Sequence, residues 1–282
     1  MKLKEVYLYG VDRIKELGVE NPGLESSLLL SNVLGLNRSE IYIHPEKEID
    51  IKDVKRFKRI LKRRTAREPL SYILGQTEFY SRRFVVSRDV LVPRPETELL
   101  VEEALKAVKG LSSPRIVDVG TGSGCIAITI CGEKRDSNVF ATDISIEALK
   151  VAQVNARING VEKNIRLLCA DFLACFKKGF FDIVVSNPPY ISDSDLALID
   201  SDIRDFEPNK ALSGGEDGLY CIRRIINGSM SVLRNGGWCI LEVGEDQDHR
   251  VKELFKQTGF GEISLIKDLS GVNRVVKARW IA

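Results

Sequence analysis

The sequence predicts an α/β protein: a mostly parallel sheet covered by helices on both faces, preceded by a small helical domain and a β-hairpin. Three observations predict it. From residue 115 onward, short apolar strands alternate with stretches of helical periodicity, the pattern of a doubly wound sheet. Residues 1–75 carry helical spacing. Residues 76–92 change character, with aromatic and β-branched residues flanking a charged turn. The expected domains are a helical one at 1–75, a hairpin linker at 76–92 and a sheet domain at 93–282.

Within the first domain, Asn21-Pro22 is a helix start, and the apolar run Leu24–Leu36 ends near Gly35. Val54, Phe57 and Leu61 recur at helical spacing, with Arg56, Arg59, Arg63 and Arg67 on another face. Lys52–Arg67 holds nine positive residues and one acid, Asp53. This face is either a solvated helix side or a basic docking surface for a macromolecular partner. Phe79, Tyr80, Phe84, Val85, Val86, Val90, Leu91 and Val92 form the hairpin pattern, which Pro93 and Pro95 end. The sheet domain then reads as strands at Ile116–Val119, Val139–Asp143, Ile165–Asp171, Asp182–Ser186 and Trp238–Val243. Helical stretches fall at Ile146–Ile158 and Leu219–Leu233, and a late strand pair at Ile263–Ile266 and Arg274–Ile281.

Composition narrows the function classes. Of 282 residues, 44% are hydrophobic and 29% charged, enough for a sizeable core and against a disordered or disulfide-built chain. No stretch approaches the roughly 18 uncharged apolar residues of a membrane span. Met1–Gly18 mixes charges with apolar residues, so neither a signal peptide nor a membrane partner is expected, and the expected location is the cytoplasm. The six cysteines form no CxxC pair and read as small core residues. His44 and His249 are the only histidines, and neither lies near the motifs below, so no metal is expected. Residues 1–75 hold 15 basic and 11 acidic residues, and 76–282 hold 27 and 29. That is not the charge distribution of a nucleic-acid binder, and direct nucleic-acid contact is not expected.

Ligands of such sheets bind at the carboxyl ends of the strands. The first strand is followed by Gly120, Thr121, Gly122, Ser123 and Gly124, with Asp118 before them. A dinucleotide fingerprint would need Gly at 125, where Cys125 stands. The GxGxG pattern instead resembles the first motif of S-adenosylmethionine-dependent methyltransferases. Asp143, at the end of the second strand, suits the ribose hydroxyls of a nucleoside. Asp171 suits an adenine amino group, and Phe172 suits packing on its ring.

After the fourth strand comes Asn187-Pro188-Pro189-Tyr190. A nitrogen conjugated to a carbonyl or aromatic ring is a poor nucleophile because its lone pair is delocalised. Two acceptors aimed at an NH₂ group, the Asn187 side-chain oxygen and the Pro188 carbonyl, hold its hydrogens and stabilise charge developing on nitrogen. Two prolines stiffen the turn. Tyr190 is expected to lie on the π-plane of the substrate.

With these segments in view, the chain resembles the protein-(glutamine-N5) methyltransferases that modify peptide chain release factors, the HemK/PrmC family. The resemblance spans essentially the whole chain. Its marks are Glu68–Gly75, Val90–Glu98, Asp118–Gly124, Asn187–Tyr190, Glu207–Leu219 and Leu241–Gln247. It implies a Rossmann-like class I S-adenosylmethionine methyltransferase sheet. It implies a substrate-docking role for residues 1–75 and S-adenosylmethionine as cofactor. The implied acceptor is the glutamine of the Gly-Gly-Gln motif of a release factor, met by Asn187, Pro188, Pro189 and Tyr190. Arg94, Glu96, Thr97 and Glu98 are implied to support the site from the cofactor's methionine end. Rival readings stay open at this point: a ribosomal-protein glutamine methyltransferase, a nucleic-acid adenine-N6 or guanine-N2 methyltransferase, and a non-catalytic nucleotide-binding module. The long acidic connection Ile191–Asp217 is expected to act as a mobile lid toward a basic partner loop.

Overall fold

The computed structural model describes residues 1–281 and divides into two units. The first joins Met1–Gly75 with the distant segment Asp200–Phe206. Its helices are Leu3–Lys15, Pro22–Leu34, Arg38–Ile43, Ile51–Thr65 and Leu70–Leu74. The helix expected from Leu24 begins at Pro22, where the Asn21 side chain accepts the Leu24 N–H, and it stops at Gly35 in a left-handed turn. Val54, Phe57 and Leu61 are buried as their spacing predicts, in a cluster with Leu3, Ile14, Leu29 and Leu30. The basic helix is not a purely solvated face. Arg64, 5% exposed, donates to Glu25 at 2.7 Å and to Asp202 at 3.1 Å, and Arg63 grips Glu68 through two bonds of 2.7 and 2.8 Å. Asp202 also accepts from Arg67 at 3.3 Å, so two contacts fasten residues 200–206 into this unit.

The second unit comprises Gln76–Ile199 and the chain from Glu207 onward. It opens with the hairpin β1 (Gln76–Phe79) and β2 (Arg82–Val85), paired from Gln76 opposite Val85 to Phe79 opposite Arg82. Residues 86–92 form no strand. Phe79 and Phe84 meet edge to face and are buried in the same cluster as the sheet, so the hairpin shares this unit's core.

The remaining strands are β3 (Arg115–Val119), β4 (Asn138–Asp143), β5 (Ile165–Cys169), β6 (Phe181–Ser186), β7 (Leu233–Glu242), β8 (Phe260–Lys267) and β9 (Asn273–Trp280). They lie in the order β5-β4-β3-β6-β7-β9-β8. The first five run parallel, and β9 pairs antiparallel with both β7 and β8. Alternate residues of the central strands serve opposite cores. Ile116, Ile183 and Val185 pack with the helices Glu98–Ala107 and Cys125–Glu133. Val117 and Val184 pack with Tyr220–Val232 and Asp248–Gln257. Burial on both faces is why Ile183, Val184 and Val185 of β6 are apolar in succession rather than in alternation. The strand expected to reach Asp171 stops at Cys169. Its one neighbour, β4, ends at Asp143 opposite Cys169, so nothing remains to pair with. Cysteines 125, 131, 221 and 239 are buried as expected, whereas Cys169 and Cys175 are exposed, the first on an edge strand. His44 and His249 are both at the surface.

The chain leaves β3 for β4 and β5 on one side and returns to β6 on the other. The crevice of this fold therefore lies where β3 and β6 meet.

Candidate active site

A cavity of about 770 Å³ opens at the carboxyl ends of β3, β4, β5 and β6. The loop after β3 builds its floor. Gly120 and Gly122 have φ of +71° and +54°, and a Cβ on either would meet no atom within 4 Å. Conformation rather than crowding demands glycine there, and it leaves bare backbone facing the space above. Gly124, at a φ of +83°, has crowding as well: a Cβ would collide with the Ile128 side chain and press on that of Ala152. The loop is held from two sides. Asp143 accepts the Gly122 N–H at 2.9 Å and the Ser145 N–H at 2.9 Å. Asn155, fully buried, donates to the Ser123 carbonyl at 2.9 Å, and it both accepts from and donates to the Val85 backbone. Beneath the loop, Asp118 accepts from the Thr121 hydroxyl at 2.6 Å, and its other oxygen has no hydrogen-bond partner. Burial pushes the Asp118 carboxyl up to about 7.

Along the wall, Ile144 is 62% exposed toward solvent and lines the cavity beside Asp143. Phe172 takes a φ of +52°, a backbone state rare for an aromatic residue, at the turn that follows β5. Asp171 accepts from Arg224 at 2.8 Å, and the Arg224 guanidinium lies 4.8 Å from the centre of the Phe172 ring.

At the head of the cavity, Asn187 leaves β6 and donates through Nδ2 to the Thr97 hydroxyl at 3.0 Å. Thr97 is 2% exposed, and so is Glu242 at the end of β7, whose charged form Thr97 and Asn187 favour as polar neighbours. Arg94 pairs with the buried Glu207 at 2.8 Å, tying the segment before Pro208 to the cavity rim.

The structure thus brings Gly120, Thr121, Gly122, Ser123, Asp143, Asp171, Phe172, Asn187, Pro189, Arg94 and Thr97 onto one cavity. It does not bring Gly124, Pro188, Tyr190, Glu96 or Glu98 to the lining. Pro188 is buried, and Glu96 is exposed. Glu98 accepts the Tyr80 N–H of the hairpin turn at 2.7 Å. The Tyr190 ring packs against the cluster of Val117 and Val184, and burial pushes its phenol up to about 12. Its carbonyl accepts from Gln247 at 2.8 Å. The connection Ile191–Asp217 contains the short helices Ser201–Arg204 and Asn209–Leu212 and spends several acids internally. Asp202, Glu207 and Asp217 pair with arginines. Sequence reasoning missed Ile144, Arg224 and the 208–211 wall. The family mark Glu207–Leu219 was the available signal for the last of these. Nothing local signals Arg224, which reaches its partner across 53 positions.

These residues fit S-adenosylmethionine. The volume lies within the roughly 300–1,000 Å³ of ligand pockets. A carboxylate for a diol, apolar and aromatic side chains for a purine, and an open glycine cradle all line it.

Solved structures share the fold at low identity. The hMettl16 catalytic domain, in complex with an RNA hairpin, superposes with a TM-score of 0.57 at 17% identity, over 70% of this chain and 74% of that one. The Thermus thermophilus 16S rRNA N2 G1207 methyltransferase, in complex with AdoMet and guanosine, gives 0.51 at 17% identity, over 73% and 49%. Fold and cavity together define a class I S-adenosylmethionine-dependent methyltransferase. Residues 5–75 match the PrmC N-terminal domain, and residues 78–203 match the methyltransferase small domain. The release factor glutamine methyltransferase of Coxiella burnetii is 40% identical over 92% of this chain and 92% of its own. Those of Geobacter sulfurreducens and Caulobacter vibrioides are 38% and 36% identical, over 94% and 98% of this chain and 92% and 96% of their own. The chain belongs to the release factor glutamine methyltransferase family.

Proposed function

We propose that this enzyme methylates N5 of the glutamine in the Gly-Gly-Gln motif of a peptide chain release factor. The observation that carries the reading is the placement of Asn187. It stands on the cavity wall with its amide nitrogen committed to Thr97, leaving the side-chain oxygen as its acceptor. The family of the chain supports the choice of a release factor.

S-adenosylmethionine, bound along the Gly120–Gly124 loop, supplies an electrophilic methyl group on a sulfonium. Asp143 holds the ribose hydroxyls, since a carboxylate with two N–H partners keeps lone pairs for two more. Phe172 and Ile144 flank the purine, and Asp171 receives its amino group once Arg224 yields that position. At the acceptor, Asn187 Oδ1 takes one hydrogen of the glutamine NH₂; the second acceptor of this reading is the backbone carbonyl of the adjacent Pro188, a buried residue that is not on the cavity lining. That keeps the hydrogens in place while the nitrogen lone pair turns out of conjugation, and it stabilises the charge that grows on nitrogen. The nitrogen–carbon bond forms as the methyl–sulfur bond breaks to leave a neutral thioether; no strong base is required, because the nitrogen becomes acidic only after its new bond forms and its surplus proton then passes to water. Tyr190 and Pro189 hold the angle of the turn, Tyr190 through its packed ring and its bond to Gln247. Arg94 and Thr97 brace the cavity, while Glu96 and Glu98 act at its periphery. The helical residues 1–75 dock the large substrate. This reading calls for no metal ion and no direct nucleic-acid contact, and a release factor substrate supports a cytoplasmic location beside the translation machinery. Among the described residues, no helix is long and apolar enough to cross a membrane.

The test is incubation with labelled S-adenosylmethionine and, separately, purified release factor, ribosomal protein or DNA, with mass spectrometry to place the label. The expected result is one methyl on the Gly-Gly-Gln glutamine. Label on a DNA base or on a ribosomal protein, with release factor unmodified, overturns the reading.

A further inference from the structure

Strands β6 and β7 run parallel with Ser186 opposite Leu241. The next residues along each, Asn187 and Glu242, are therefore neighbours at the head of the cavity. Glu242 is 2% exposed, and its Oε2 has no hydrogen-bond partner. A buried carboxylate at a strand end, one oxygen unsatisfied, is costly to keep unless it does something there. Its other contacts show what that is. Thr97 and Asn187 face it as polar neighbours that favour its charged form, and Asn187 Nδ2 donates to the Thr97 hydroxyl at 3.0 Å. A hydroxyl that receives a hydrogen from Asn187 keeps its own to offer the neighbouring carboxylate, which would give such a chain one direction.

We propose that Glu242 is a positioning residue: its carboxylate draws the donor end of the Asn187 amide inward, directly and through Thr97, and so presents the oxygen end to the substrate. The proposal rests on the reading of Asn187 as the acceptor of the glutamine hydrogens. A reversed amide would aim N–H at N–H and forfeit that interaction. A carboxylate only accepts hydrogen bonds, whereas a protonated Glu242 also donates and no longer dictates the orientation. The groups facing Glu242 act in both directions. Arg274 on the adjacent β9 favours the carboxylate, and Glu96 opposes it. Burial pushes the Tyr190 phenol and the Cys125 thiol up, and the Glu242 charge adds to both. Burial is the largest influence and holds the Glu242 carboxyl at about 7. The inward pull on Asn187 is thus complete above that pH and fades below it.

The experiment measures kcat and KM for release factor between pH 6 and 8.5, for the wild type and for E242Q, T97V, N187A and E242Q/N187A. Cofactor affinity is measured by calorimetry and folding by thermal melts. Above pH 8, E242Q is expected to lose roughly 10–100-fold in kcat, the range seen when groups that orient liganding side chains are removed. Its cofactor affinity and KM should stay near wild type. Its kcat should also lose the rise through pH 7 that the wild type shows, and the double variant should be no slower than N187A alone. T97V, which breaks the chain without touching the carboxylate, should fall in kcat as well, and it carries the test if E242Q fails to fold. Near wild-type kcat in E242Q or, where that variant does not fold, in T97V, an unchanged pH profile, or losses that multiply in the double variant overturn the positioning role. Those results leave the Asn187 reading standing if N187A itself is slow. A fast N187A overturns the reading on which the proposal rests.

Discussion

Replacing Asn187 by alanine removes two things from the head of the cavity: the acceptor oxygen offered to the substrate, and the Nδ2 bond to Thr97 at 3.0 Å. The first matters most in the transition state, where the glutamine nitrogen gains positive charge. By the measure of other preorganised polar groups its loss costs about 2.7–4 kcal/mol, or roughly 10²–10³ in kcat. The second is an ordinary side-chain bond worth about 1 kcal/mol, which shifts Tm by about 2–4 °C in a chain of this size. The cofactor contacts at the Gly120–Gly124 loop and Asp143 are untouched. N187A should therefore fold, bind S-adenosylmethionine with near wild-type affinity by calorimetry, and turn over release factor slowly at saturating concentrations of both substrates. A variant with near wild-type kcat, or one whose whole loss lies in KM, refutes the assignment.

Three further outcomes follow from other parts of the chain. Asp143→Ala removes a charged acceptor proposed for the ribose and lets go of the Gly122 and Ser145 N–H groups. It should weaken S-adenosylmethionine binding by about 1.5–3 kcal/mol, and unchanged affinity by calorimetry counts against the assignment. Asp118 titrates at about 7 in the folded protein, against an ordinary carboxyl range near 4, so the native state holds a proton that the unfolded chain has released. Its contribution to stability therefore falls as pH rises from about 4 to 7, by up to roughly 4 kcal/mol. Asp118→Asn cannot titrate, and its Tm advantage over the wild type should widen between pH 5 and pH 8; parallel curves refute this. In the helical unit, Arg64→Ala leaves Glu25 and Asp202 without their shared cation, and a loss of about 3 kcal/mol is expected in urea unfolding, whereas an unchanged midpoint removes the claim.

The outcome for individual residues shows which features the sequence carries openly. The GxGxG loop, the acids after β4 and β5, and the Asn187 turn were legible because each depends on a few consecutive residues at a strand end. Local patterns encode such places: a run buried on both faces, then glycine, proline or a capping acid. The helix Ile146–Ile158 emerged with its expected ends, since its start is marked by the Ser145 cap and its buried face by helical spacing. The end of β5 was misjudged because strand length is set by the partner, and β4 runs out at Asp143. The Tyr190 ring, expected on the substrate, packs against the cluster of Val117 and Val184, where an aromatic gains from burial.

The sequence by itself determined the order of strands and helices, the family, and the residue types available at the head of the sheet. Those follow from periodicity, backbone preference and chemistry read over short distances. Only the tertiary structure decided which of them act on one another. It set Glu242 behind Asn187 through the register of two parallel strands, Arg224 on Asp171, Asn155 under the cofactor loop, and residues 200–206 within the helical unit. The physical reason is the same in each case. A buried or charged group must find its partner wherever the packing of the whole chain brings one, and no spacing along the sequence records that distance.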